Sequence, residues 1–218
     1  MEASRIARLL EPFLGESILS TNQLQDISTY IDILQRWNAR INLTAIRDPD
    51  EIVTRHFGES LFAARNLFPN SSAYSASSAV KAFEVADVGS GAGFPGIPIK
   101  LWAPEISLTL IESNHKKATF LREVTHALTL TNINIQNVRA ESLTAERFNV
   151  VTLRAVERFE STLPIAASLL NPNGRLALLI GSSQLPTAQA ILPSLNWGEL
   201  TVVPTSNSRI LLVGSVQG

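Results

Sequence analysis

Up to residue 69 the apolar positions of the chain recur at steps of three and four; beyond residue 82 they gather into short runs. The first pattern predicts helices. Arg5 to Phe13 makes a short one. From Gln23 onward, Leu24, Ile27, Ile31, Leu34 and Trp37 form the stripe of an amphipathic helix, with Arg36 and Arg40 on its polar face. A third helix has a marked beginning: Asp48 as N-cap, Pro49 at the first helical position and Glu51 where a capping box closes. It runs towards Phe68 and stops before Pro69. Asn70 to Ala82 holds five serines and no apolar period, which reads as a linker. The chain thus divides into a helical region (1–69), a serine-rich linker (70–82) and a larger domain (83–218).

In the larger domain, apolar runs alternate with helical stretches. The strands expected are Phe83–Val88, Ser107–Ile111, Ile133–Val138, Phe148–Leu153 and Arg175–Ile180, with a clear helix from His115 to Leu128. Such alternation argues for a parallel sheet with right-handed crossovers. The tail differs. Leu200–Pro204, a polar turn and the run from Arg209 predict a hairpin.

The first strand ends in FEVADVGSGAGFPGIP, Phe83 to Pro98. Asp87 closes the strand, and Gly89, Gly91 and Gly93 follow. Glycine suits a sharp turn at which a ligand must reach the backbone. A helix start beyond it aims free N–H groups at that ligand. An adenosine-containing cofactor at the carboxyl end of the first strand fits this arrangement. Two cofactors compete. Gly91, Gly93 and Gly96 fit the dinucleotide pattern GxGxxG, with Glu112 about 20 residues on as the ribose-binding acid. Asp87, Gly89, Gly91 and Gly93 fit the D-x-G-x-G-x-G pattern of S-adenosylmethionine (SAM) enzymes. Both need the acid, since both cofactors carry a ribose diol. Asp87 favours SAM: a carboxylate beside the turn suits an amino group and a sulfonium, and repels a pyrophosphate.

Later strands add pieces at their carboxyl ends, where ligands of open α/β sheets sit. Glu112 follows strand two. Ala140 and Glu141 follow strand three, where a backbone N–H and a small side chain meet an adenine edge. Arg154 follows strand four; it faces the methyl group and its acceptor, or else makes a salt bridge, for instance to Glu157 or Glu112. Phe94, just past the glycines, packs on the cofactor or on the core.

Composition narrows the chemistry. The chain has 218 residues, 45% hydrophobic and 17% charged, which is ordinary for a globular protein with ample core. It has no cysteine, hence no disulfide or thiolate chemistry. Its three histidines, His56, His115 and His126, lack metal-ligand spacing, so no metal is expected. Apolar runs fall short of the ~18 residues of a membrane span, and the start lacks a signal-peptide core, so the expected location is the cytoplasm. The net charge of −1 counts against tight sequence-independent binding of bare nucleic acid. It leaves room for a local patch or a ribonucleoprotein.

Trp37-Asn38-x-x-Ile41-Asn42-Leu43-Thr44, Arg47-Asp48-Pro49, Arg55-His56, the segment GSGAGFPGIP, Arg139-Ala140-Glu141 and Leu153-Arg154-Ala155 occur in this order. Together they resemble the RsmG (glucose-inhibited division protein B) family of bacterial 16S ribosomal RNA methyltransferases, over roughly residues 24 to 181. The resemblance implies a Rossmann-like SAM-dependent methyltransferase fold: a mostly parallel seven-stranded sheet ending in a hairpin, with an N-terminal helical extension. It implies methyl transfer from SAM to a guanine N7, in 16S RNA or a small-subunit particle, with SAM contacts at Gly89, Phe94, Ala140, Glu141 and Arg154. The family's L-K-G after strand five reads Leu179-Ile180-Gly181 here, and Glu59 stands where the family more often shows aspartate.

Guanine N7 has a lone pair and no proton, so no catalytic acid or base is expected; catalysis rests on alignment. Arg36, Arg40, Arg47 and Arg55 are candidate phosphate contacts. A monomer is expected. Alternatives are a SAM enzyme with another acceptor, a nucleotide-dependent oxidoreductase, or a ribosome-binding factor without activity, the last prompted by Ile180.

Overall fold

A computed structural model describes residues 1–69, 83–143 and 147–216. The expected serine-rich linker lies outside them. Helices α1 (Ala3–Leu14) and α2 (Thr21–Asn38) lead into a continuous helical run. In it, α3 (Pro49–Glu51) passes through a π-helical segment, Ile52–Gly58, into α4 (Glu59–Leu67). Strands β1 (Glu84–Val88), β2 (Ser107–Ile111), β3 (Ile133–Gln136), β4 (Phe148–Arg154) and β5 (Leu170–Gly181) then alternate with helices. These are α5 (Gly96–Trp102), α6 (His115–Ala127), α7 (Phe159–Ser168) and, after β5, α8 (Leu185–Ile191). The chain ends in β6 (Leu195–Trp197), β7 (Thr201–Val202) and β8 (Arg209–Val216).

The sheet order is β3-β2-β1-β4-β5-β8-β6, with β7 also on β8. β1 to β5 are parallel, and β8 runs antiparallel to β5, β6 and β7. β6 and β7 pair with successive stretches of β8, Gly214–Val216 and Ile210–Leu211, so they share one edge position. The sheet is therefore seven positions wide, and the hairpin is present. The strand direction of winding reverses between β1 and β4, the switch point at which such sheets bind ligands.

Each sheet face carries its own core. One is built with α1, α2, α4, α5 and α6, and buries Tyr30, Phe57, Phe94 and Phe120. The helical region thus packs directly on the sheet domain. The opposite core, under α7 and α8, takes in Leu178, Ile180 and Ile210. Ile180 is 3% exposed and faces Ile210 across the strands, so its side chain belongs to this core.

Three helix readings need correction. α2 begins at Thr21, because Ser20 and Gln23 form a capping box: Ser20 Oγ accepts from Gln23 N (3.2 Å) and Gln23 Oε1 from Ser20 N (2.8 Å). It ends at Asn38, so Arg40 lies beyond it and does not share a helix face with Arg36. The third helix starts at Asp48 as expected, whose Oδ1 accepts from Asp50 N and Glu51 N, both at 3.0 Å. It is not uniformly α: the π-helical turns carry Arg55 and His56. Widened turns of this kind re-aim side chains and are frequent at functional sites.

Candidate active site

The carboxyl ends of β1, β2 and β4 are in register, with Val88 beside both Ile111 and Leu153. The residues that follow these strands therefore converge. Gly89 N and Ser90 N donate to Ile111 O (2.9 and 3.1 Å). Gly91 N donates to Glu112 Oε2 (2.9 Å), and Asn114 N to Glu112 Oε1 (2.7 Å). An ionised carboxylate has about four acceptor positions, so each oxygen of Glu112 keeps one for a ligand hydroxyl. Above the turn opens a cleft of about 690 Å³. That lies within the roughly 300–1,000 Å³ of small-molecule sites.

Gly89, Gly91, Phe94, Glu112, Ala140, Glu141 and Arg154 all line this cleft. Gly93 does not. It has φ +84°, and a Cβ there would sit 2.7 Å from Ile97 Cδ1 and 3.1 Å from Leu121 Cδ2. Its glycine serves helix packing under the turn. Asp87 also departs from expectation. Its carboxylate is 1% exposed, accepts from Thr152 Oγ1 (2.8 Å) and Gly96 N (3.3 Å), and caps the start of α5 within the sheet. It is not among the residues that line the cleft.

Phe94 is held in an aromatic stack. Its ring lies parallel to Tyr30 (5.3 Å, 3°) and His56 (4.8 Å, 20°), with Phe57 edge-on at 5.1 Å. Tyr30 donates its hydroxyl to Ala92 O, anchoring α2 to the glycine turn. The Arg154 guanidinium sits 6.0 Å from the Phe94 ring centre. Its Nη2 donates to Arg55 O (2.6 Å) and Glu59 Oε2 (3.1 Å) and lies 3.1 Å from His56 Nδ1. The ion-pair partner of Arg154 is thus Glu59, not Glu157 or Glu112.

His56 is the site residue that sequence reasoning missed. It lines the cleft, and its Nε2 lies 2.8 Å from Thr44 Oγ1. Thr44 is placed in turn by Asn38, whose Oδ1 accepts from Leu43 N and Thr44 N (2.9 and 3.1 Å). The WN-x-x-INLT segment is therefore the clamp that makes one wall of the cleft. Periodicity gave no sign of this, since the clamp joins a helix end to a loop; the motif itself was the available signal. The four arginines expected to touch phosphate lie outside the cleft. Arg36 pairs with Glu123 (3.5 Å), Arg47 donates to Asn38 O (2.9 Å), Arg40 is exposed and Arg55 borders a second cavity.

Two buried groups titrate abnormally and in opposite senses. Burial, reinforced by Arg154, Arg55 and Arg209, lowers the His56 pKa to about 3. Burial raises that of Asp87 to about 6, against the pull of Thr152, Gly96, Ser90 and Arg154. The unfolded chain titrates near 6.5 and 3.9 respectively. Neutral His56 stabilises the fold fully above about pH 6.5, and that contribution is lost as pH falls towards 3. Asp87 holds a proton only in the folded state between about pH 4 and 6, so its contribution falls as pH rises. Each slope is about 1.4 kcal/mol per pH unit, and they offset across this window. Relative to wild type, His56→Gln should lose stability as pH rises from 4 to 6, and Asp87→Asn should gain it. Urea unfolding at several pH values reads both slopes; parallel curves would refute the assignment.

Among the described residues no group of three or more His, Cys, Asp or Glu is placed to hold a metal ion, and no helix is long and apolar enough to cross a membrane.

The model of the family GidB, rRNA small subunit methyltransferase G, matches residues 23–192. The chain is 40% identical over 154 residues to ribosomal RNA small subunit methyltransferase G of Xylella fastidiosa (strain M23), spanning 70% of this chain and 66% of that one. It is 36% identical over 191 residues to the protein of the same name from Halorhodospira halophila, spanning 85% and 84%. In fold it is similar to magnesium protoporphyrin IX methyltransferase from Synechocystis PCC 6803, solved with bound SAM. There the TM-score is 0.60 at 14% identity, over 88% of this chain and 97% of that one.

Proposed function

The chain belongs to the GidB family, rRNA small subunit methyltransferase G, and on that premise we propose that it transfers a methyl group from SAM to N7 of one guanine in 16S ribosomal RNA. The observation that carries the choice of cofactor is the use of the turn's own N–H groups. Gly91 N is taken by Glu112 and Gly96 N, at the head of α5, by Asp87. A dinucleotide enzyme seats its pyrophosphate against the glycine turn and the head of the helix that follows. Two carboxylates of the chain stand in that region, Glu112 in the cleft wall and Asp87 buried beneath it, which supports SAM and disfavours a dinucleotide.

The residues at hand fit SAM. Glu112 has acceptor positions for a ribose diol; Gly89 and Gly91, both at positive φ, leave the turn without side chains over the cleft. Ala140 and Glu141 also line the cleft, where they are proposed to meet the adenine. The chemistry that bound SAM supplies is an electrophilic methyl on a sulfonium. Guanine N7 attacks with its own lone pair, so the site needs no base. Neutral His56 and the paired Arg154 then serve to shape and orient. Ile180 lies in the core under α7 and α8, which weakens the case for a factor without activity.

The test is incubation with methyl-labelled SAM and small-subunit particles lacking the modification, followed by N7-specific cleavage of the RNA. Label at a single guanine N7 is the expected result. Binding of S-adenosylhomocysteine with no label in the particle would sink the acceptor while leaving the cofactor.

A further inference from the structure

Glu59 faces three arginines at once. Its carboxylate lies 3.1 Å from Arg154 Nη2, 3.4 Å from Arg209 Nη2 and 3.7 Å from Arg55 Nε. One carboxylate against three guanidinium groups leaves an excess of two positive charges. Glu59 itself is 3% exposed. Arg154 turns to the cofactor cleft. Arg55 and Arg209 instead border a separate cavity of about 260 Å³, between the π-helical segment and the turn joining β7 to β8. Among the described residues Glu59 is the one acid in its lining, and it is already shared.

Apart from Phe13 and Pro204, the rest of that lining is polar. Ser206 Oγ accepts from Arg209 N (3.0 Å) and Ser208 N (3.4 Å), which leaves its own O–H free to point at a ligand. Thr54, Asn207 and Ser208 add further polar groups. Among the described residues, the buried side-chain nitrogens without a partner are Nε of Arg154 and Nε of Arg209. Two guanidinium forks with surrounding hydroxyls present donors from several directions. That matches a tetrahedral oxyanion better than a flat carboxylate, which a single fork satisfies.

We propose that this cavity is a phosphate site in which Arg55 and Arg209 grip one phosphodiester of the RNA whose base enters the neighbouring cleft. The proposal rests on the RNA methyltransferase reading. Arg55 directly precedes His56 of the cleft wall, so a phosphate held here fixes the strand beside the reacting base. A contact of this kind positions without reading sequence.

Arg209→Gln tests it. The change leaves Glu59 with two arginines, so the fold should persist, and a cooperative melt with wild-type far-ultraviolet dichroism checks this. With inorganic phosphate as the probe, at ionic strength matched by chloride, the melting temperature of the wild type should rise and that of Arg209→Gln should not. With a labelled small-subunit RNA fragment, Arg209→Gln should bind about tenfold more weakly, with the salt dependence reduced by about one phosphate contact. Arg209→Lys, which keeps the charge and loses the fork, should fall between. Loss of the phosphate effect with RNA binding unchanged would overturn the RNA source and leave a free-phosphate site. Unchanged behaviour in both arms would overturn the site. The methyl-transfer assay judges the enzymatic reading separately, since it scores label on RNA whatever the salt dependence.

Discussion

Replacing Glu59 by alanine is expected to lower stability by about 3–5 kcal/mol, because it strands the buried Arg154 and the partly buried Arg209 without a counter-charge. The Arg154 side chain is only 7% exposed and that of Arg209 24%, so neither reaches bulk water freely. Burial already lowers the Arg154 pKa, and Glu59 is the largest influence acting the other way. Arg55 is half exposed and contributes little. Urea unfolding should show the midpoint falling with an unchanged slope. Glu59→Leu combined with Arg154→Leu should recover much of the loss, since removing both members of a buried pair costs less than removing one. A loss under 1 kcal/mol for Glu59→Ala would mean that the arginines find water or other partners. Cofactor affinity should fall as well, as Glu59 aims Arg154 at the cleft.

Gly91→Val should weaken S-adenosylhomocysteine binding by at least about 100-fold, through two effects of known cost. Gly91 has φ +56°, where a β-branched side chain is strained by about 1–3 kcal/mol. The nearest atom to a Cβ there is Gly89 O at 3.7 Å, so the added side chain projects into the open cleft. The same strain should loosen the bond from Gly91 N to Glu112 and misplace the carboxylate proposed to hold the ribose. Gly91→Ala carries the strain with a smaller obstacle, and should lose less. Calorimetric titration gives both values. Wild-type affinity in Gly91→Val would remove the glycine turn from the cofactor site.

Much of the site could be read along the chain because it is local. The turn from Asp87 to Gly96, and Glu112 one residue past β2, follow from strand ends and short spacings, and of these the structure brings Gly89, Gly91, Phe94 and Glu112 to one cleft. Asp87 shows the limit. Its position was legible, but the direction of its side chain was not, because a strand's alternation says which face a residue takes only once the neighbouring β4 supplies Thr152. The π-helical turns at Arg55 and His56 were equally hidden, since an apolar period close to that of an α-helix runs through them.

The sequence by itself determined most of the elements, their order and the α/β class, since helix and strand periods are properties of neighbouring residues. It also carried the glycine turn and the acid proposed to hold the cofactor, which lie within about 25 residues. Only the tertiary structure decided which charges meet. Glu59 reaches Arg154 across 95 residues and Arg209 across 150. Such pairs form because the helical region docks its apolar face on the sheet and carries its polar groups with it. Nothing in the spacing of charged residues encodes that docking; the burial of the apolar faces does.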